Sequence, residues 1–179
     1  MDRLVALLRG INLGPRNRIA MPALRDVLGA AGFADVRTYV QSGNLVVSSD
    51  ADPPELEREL ERLIAEQFGV EAAVVVRTGR ELAEVVERNP LAEVAVEPKR
   101  YQVTFLAESL GPDQVQQLAA LATGAERLCA RGRELYAWHP EGVARSKLWA
   151  KLGSKGLGVK ATSRNWATVT TLLAMVQEP

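Results

Sequence analysis

The sequence contains one cysteine, Cys129, and one histidine, His139. A lone cysteine excludes an intramolecular disulfide, and one Cys with one His cannot assemble a Cys/His zinc set. No apolar run approaches the ~20 residues needed to cross a bilayer. Met1-Asp2-Arg3 leads only into a short apolar stretch, Leu4 to Leu8, with no small-residue cleavage site behind it. These absences predict a cytoplasmic protein in a reducing compartment, with no metal and no membrane partner. Cys129, in a predicted strand, reads as a packed small residue rather than a nucleophile.

Acidic residues are also missing from Val143 to Gln177. Net charge is zero, from 22 bases and 22 acids, but the distribution is uneven. Residues 1–49 carry six bases and three acids, residues 50–97 five and thirteen, residues 98–142 five and five, and residues 143–179 six and one. A basic segment of that kind attracts anions, although a solvated basic face on a structural helix is the commoner origin of such a pattern.

What is present is ordinary globular chain: 179 residues, 47% hydrophobic, enough for one large domain or two small ones. Leu4 to Leu8 suits a strand buried on both faces, and Arg9-Gly10-Ile11-Asn12-Leu13-Gly14-Pro15 is a loop. Pro22 opens a helix with Leu24, Val27, Leu28 and Ala31 on one face and Gly32 as its stop. Alternation over Val36, Thr38 and Val40 predicts a strand, Leu45 to Ser48 its hairpin partner, and Ser42-Gly43 the turn. Asp52 and Glu55 form a capping-box pattern before a helix carrying Leu56, Leu60, Leu63, Ile64 and Phe68, and Ala72 to Arg77 is a further strand. The order βαββαβ is the ferredoxin-like unit.

Thr78 and Glu81 make a second capping box, opening a connecting helix that Asn89-Pro90 ends. The element order then repeats: strand Tyr101 to Ala107, helix Pro112 to Ala122, strands Glu126 to Ala130 and Glu134 to Trp138, and helix Ser146 to Leu152. Leu157 to Ala161 suits a short fourth strand, with Thr162 or Ser163 capping a terminal helix through Val169, Leu172, Leu173 and Val176. The fold class expected is therefore α+β, two ferredoxin-like halves at residues 1–78 and 100–179, joined by a connecting helix and linker over 79–99 and closed by a C-terminal helix. The halves share element order without a residue-level repeat.

In that topology the end of the first strand lies beside the start of the third, which brings Arg9-Gly10-Ile11-Asn12 next to Ser42-Gly43-Asn44. Glycines let backbone N–H groups approach a ligand, a helix N-terminus on the same side favours an anion, and Arg9 offers a planar fork of donors. A small anion or phosphate fits such a pocket. The plainer alternative is that the asparagines and Ser42 close their own turns. Thr162-Ser163-Arg164-Asn165-Trp166 forms a second polar cluster at a helix start, where free N–H groups also favour an anion; the alternative there is a capped helix anchored by Trp166.

Other motifs fail. Gly153-Ser154-Lys155-Gly156-Leu157-Gly158-Val159-Lys160 resembles a phosphate loop, but Val159 separates the glycine from the lysine. Gly156-x-Gly158-x-x-Ala161 has too little chain behind it for a dinucleotide-binding unit. An RNA-recognition module stacks bases on aromatics of its central strands, and Leu4 to Arg9 and Leu45 to Ser48 contain none.

The three stretches Leu8-Arg9-Gly10-Ile11-Asn12, Thr38-Tyr39-Val40-Gln41-Ser42-Gly43-Asn44 and Ala161-Thr162-Ser163-Arg164-Asn165-Trp166, together and in this order, resemble the bacterial domain of unknown function 1697 family over nearly the whole chain. The resemblance implies an α+β fold with duplicated ferredoxin-like halves and brings no activity or cofactor with it. The functional expectation is binding of a small phosphate-bearing or other anionic ligand, with enzymatic activity open and no catalytic residue or cofactor assigned. Arg9 and Arg164 would pair its charge; Gly10, Asn12, Ser42, Gly43, Asn44, Thr162 and Asn165 would surround it. Two alternatives stand beside it: nucleic-acid binding through Lys151, Lys155 and Lys160, and an oligomeric module in which acidic helices meet the basic segment of another copy.

Overall fold

The computed structural model describes residues 1–178. The first sheet has the order β2-β3-β1-β4, built from β1 (Asp2–Arg9), β2 (Ala34–Tyr39), β3 (Asn44–Ser49) and β4 (Ala73–Thr78), with every neighbouring pair antiparallel. Leu4 through Leu8 are all buried, as a central strand covered on both faces requires. Helices α1 (Met21–Ala30) and α2 (Pro53–Phe68) lie on one face. Their stripes, Leu24 and Leu28 from one and Leu56, Leu60, Leu63 and Ile64 from the other, join Leu4, Ala6, Leu8, Leu45, Val47, Val74 and Val76 in a single core. Asp52 caps α2 by accepting from Glu55 N at 2.8 Å.

The acidic face of α2 is more than a solvated surface. β4 is an edge strand, and two of its N–H groups bond to glutamates one helical turn apart: Val74 N donates to Glu61 Oε1 and Val76 N to Glu57 Oε1, both at 2.9 Å. Alternate strand residues and (i, i+4) helix residues thus come into register, and part of the edge is closed to another strand.

α3 (Gly79–Glu87) opens with the capping box expected for it: Thr78 N donates to Glu81 Oε2 at 2.8 Å and Glu81 N to Thr78 Oγ1 at 3.1 Å. The second sheet, β6-β7-β5-β8, repeats the first order with β5 (Tyr101–Leu106), β6 (Arg127–Arg131), β7 (Glu134–Trp138) and β8 (Ala161–Asn165). α4 (Pro112–Ala119) and α5 (Lys147–Leu152) cover one face, and α6 (Trp166–Gln177) ends the chain. The fold is α+β with two ferredoxin-like halves.

The chain forms two compact units, residues 1–84 with the chain from Leu172 onward, and Val85–Thr171, so the divisions fall within α3 and α6. In the first unit the end of α6 reaches β2, where Arg37 Nη2 donates to Met175 O at 2.5 Å and Nη1 pairs with Glu178 at 2.6 Å. No helix among the described residues is long and apolar enough to cross a membrane.

Three elements differ from the sequence reading. The fourth strand of the second half is β8, Ala161–Asn165, and not Leu157 to Ala161. Leu157 ends a 3-10 turn (Lys155–Leu157) in which Ser154 Oγ accepts from Gly156 N, and left-handed Gly158 (φ 79°) delays extension of the chain. Because Thr162 and Ser163 are then paired with Phe105 and Thr104 in the ladder, the cap of α6 is Asn165, whose Oδ1 accepts from Thr168 N at 2.9 Å. In the first half β2 stops at Tyr39, and Val40 turns to φ 50° to begin the corner.

Removing an edge-closing glutamate leaves a strand N–H without its charged acceptor. Glu57→Ala and Glu61→Ala are each expected to cost about 1–2 kcal/mol in urea unfolding. The double variant should also aggregate faster on mild heating, read by light scattering.

Candidate functional site

The loop after β1 and the corner between β2 and β3 meet as the topology requires. Leu8 N donates to Gly43 O at 2.8 Å, and Leu7 stands opposite Asn44 in the ladder. Asn12, left-handed at φ 52°, ties the loops: Nδ2 donates to Ile19 O at 2.9 Å and to Gln41 O at 2.7 Å, while Oδ1 accepts from Ile19 N at 2.9 Å. Asn44 is fully buried and closes its own corner, donating to Tyr39 O and Ser42 Oγ, each at 3.0 Å. Both asparagine amides are thus engaged with the chain. Arg9 is half-buried at the end of β1 opposite Ala73. Asn17, which sequence reasoning passed over, belongs to the same frame: its Nδ2 donates to Gly10 O at 3.1 Å.

The two glycines differ sharply. A Cβ on Gly43 would stand 2.7 Å from Leu8 Cβ and 2.9 Å from Ile11 Cδ1, whereas one on Gly10 would meet nothing within 4 Å; both have φ 81°. Gly43→Ala combines left-handed strain with overpacking and is expected to cost roughly 2–5 kcal/mol. Gly10→Ala should cost only about 1–2 kcal/mol from the backbone. Urea midpoints of the two variants check the difference.

The second polar cluster belongs to the second unit. Arg164 on β8 is 9% exposed, and its Nη1 donates to Thr162 Oγ1 and Ser163 O, both at 2.8 Å. Burial pulls its pKa down to about 10, so it stays cationic at neutral pH. Thr162 is buried beneath it in the same strand, and Asn165 is spent on the α6 cap. The first unit has an interior cation of its own, Arg77 on β4, 1% exposed, with Nη1 donating to Val76 O at 3.0 Å.

One face of the second sheet carries aromatics on its central strands, where β1 and β3 of the first have none: Tyr101 and Phe105 on β5, Tyr136 and Trp138 on β7. All four are buried. Tyr136 Oη donates to Val85 O at 2.7 Å, Tyr101 Oη to Asn89 Oδ1 at 2.6 Å, and Trp166 lies 5.0 Å from Tyr101 between ring centroids. Burial pushes both phenols up in pKa, as fits interior residues.

A further cluster escaped the sequence reading. His139, wholly buried just after β7, places Nδ1 2.8 Å from Glu126 Oε1 and 3.2 Å from Ser146 Oγ, and its ring meets Trp149 edge-on. Nε2 is buried without a hydrogen-bond partner. Acid and hydroxyl share one ring nitrogen, so the geometry is not that of a nucleophile triad, where they take opposite nitrogens. Ser146 also caps α5, accepting from Trp149 N at 3.0 Å. A cavity of about 570 Å³ adjoins the cluster, lined in part by Thr123, Glu126, Glu141, Arg145 and Ser146. In sequence these residues show only as element boundaries. Among the described residues no group of three or more His, Cys, Asp or Glu is placed to hold a metal.

Burial raises the Glu126 pKa, but hydrogen bonds from Ser146, His139 and Thr123 N outweigh it and the net shift is downward from 4.5. A carboxylate depressed in the folded state contributes stability that is fully present above its unfolded value and lost as pH falls through the folded one. Glu126→Gln should therefore flatten the loss of stability below about pH 4.5, measured as urea midpoints between about pH 3 and 6.

The fold has a counterpart among solved structures, the conserved bacterial protein SP0830 from Streptococcus pneumoniae, with a TM-score of 0.79 at 24% identity over 98% of this chain and 99% of that one. No match emerged among curated proteins. The family model described as "Protein of unknown function (DUF1697)" matches residues 1–136, a span that holds the whole first half with its loop and corner, and the chain belongs to that family.

Proposed function

We propose that the protein binds a small anionic ligand, with the Arg9–Asn12 loop and the Gln41–Asn44 corner as its seat. The observation that carries this reading is the bond from Asn12 Nδ2 to Gln41 O, which holds two loops 29 residues apart as one frame. A frame locked in this way can present donors without paying to order them on binding. Gly10 supports it, because the space a side chain would fill there is open to a ligand approaching the backbone. Arg9 supplies the planar cationic fork, and exposed Arg16 and Arg18 add positive charge to the same loop. Asn12, Asn44 and Gly43 are framework, Ser42 stands at the rim, and Arg164, interior to the other unit, is left out of the seat.

Base stacking on the second sheet has little support, since its aromatics are interior. Isothermal titration against nucleotides and sugar phosphates is expected to detect binding that Arg9→Ala weakens by roughly tenfold or more, the size of a lost charged hydrogen bond. Binding of none of these compounds by the wild type, or equal binding by the variant, would overturn the proposal.

A further inference from the structure

The second unit contains a cavity of about 270 Å³ between α4, α5 and the 3-10 turn after α5, lined by Leu110, Gln114, Gln117, Leu118, Leu121, Lys151, Gly156 and Leu157. Leu118 and Leu157, 4% and 5% exposed, belong to the hydrophobic core, with Leu110 and Leu121 packed against it. Its floor is therefore apolar and continuous with the interior. Lys151 is the one charged residue in the lining, and it has no carboxylate partner among the described residues. Its Nζ lies 3.0 Å from where a Cβ on Gly156 would stand, so the ammonium of this exposed lysine lies over the space that a side chain there would fill. Gln114 is fixed by accepting from Gly111 N at 3.0 Å, which leaves Nε2 turned toward Gly158, 4.0 Å from the place of its Cβ.

We propose that this cavity is a binding site for a small molecule with a short apolar body and a single anionic head group. The body lies on Leu110, Leu118, Leu121 and Leu157, and the head pairs with Lys151 beside the Gln114 and Gln117 amides. Charge complementarity selects the anion: no acid lines the cavity, and none occurs from Val143 to Gln177. Size limits the body, because 270 Å³ is just below the ~300 Å³ at which ligand sites begin. The apolar floor separates this ligand from an inorganic anion. The site is also independent of the seat proposed around Arg9, which belongs to the first unit.

The test is isothermal titration of the full chain with hexanoate, hexyl phosphate, hexanol and inorganic phosphate. Hexanoate or hexyl phosphate should bind, and which of them binds more tightly identifies the head group. Hexanol and inorganic phosphate should each bind at least about tenfold more weakly, lacking one half of the recognition. Lys151→Met should weaken the preferred probe by roughly tenfold while leaving hexanol unchanged. Gly156→Val, which fills the space under the ammonium, should weaken it with Lys151 still in place, and Arg9→Ala should have no effect. No binding of either amphiphile, or binding unaltered in both cavity variants with circular dichroism as for wild type, would overturn the proposal.

Discussion

The first unit depends on one close approach, that of the Gly43 backbone to Leu8 and Ile11. The space there admits no Cβ, and the bond from Leu8 N to Gly43 O sets β1 against β3 in the register that pairs Leu7 with Asn44. A slip of one residue would turn Leu4, Ala6 and Leu8 away from the helices and expose the core. The same contact brings Gln41 O within reach of Asn12, so the loop after β1 takes its shape from a corner 29 residues away. Left-handed backbone gathers here, at Gly10, Asn12, Asn17, Val40 and Gly43. Val40 stands out, since a β-branched residue rarely takes such a conformation and this one is 52% exposed, so core packing does not hold it there.

A second theme is how many polar side chains serve the backbone. Glu57 and Glu61 take strand N–H groups, Asn12 takes both the N–H and the C=O of Ile19, Asn44 takes the Tyr39 carbonyl, and Asn165 caps a helix. Each removes the desolvation cost of a main-chain group that the sheets and loops would otherwise leave unpaired. The candidate ligand donors of the first unit are thereby reduced to a cation and a loop backbone built on an asparagine frame. Glu126, His139 and Ser146 extend the pattern to the interior of the second unit, joining the start of β6, the end of β7 and the cap of α5.

The two halves repeat a topology without repeating a surface chemistry. In the first, the sheet face away from the helices holds Val5, Leu7, Val46 and Val75 with buried Asn44 and Arg77. The corresponding face of the second holds Tyr101, Phe105, Tyr136 and Trp138 with Arg164. The first keeps its edge with acidic residues of α2, and the second presents Lys151 over an apolar cavity. Shared order with divergent side chains means that a ligand found for one half carries no information about the other.

The sequence by itself determined the ferredoxin-like order, the helix stripes, the Asp52 cap of α2, the reciprocal capping box of Thr78 and Glu81, and the meeting of the Arg9–Asn12 loop with the Ser42–Asn44 corner. The elements and caps rest on local periodicity and on turn chemistry, which act over a few residues and are legible there, and the meeting of the loops follows from the strand order those elements imply. It misplaced β8 and the cap of α6, because Leu157 is as apolar in a 3-10 turn as in a strand and only pairing with β5 distinguishes the two. Tertiary structure alone decided that Asn12 bonds to Gln41, that the second sheet's aromatics are interior, that His139 meets Glu126 and Ser146, and that Lys151 overhangs a cavity. Each joins groups separated along the chain, and the distance between such groups is set by packing rather than by any local preference.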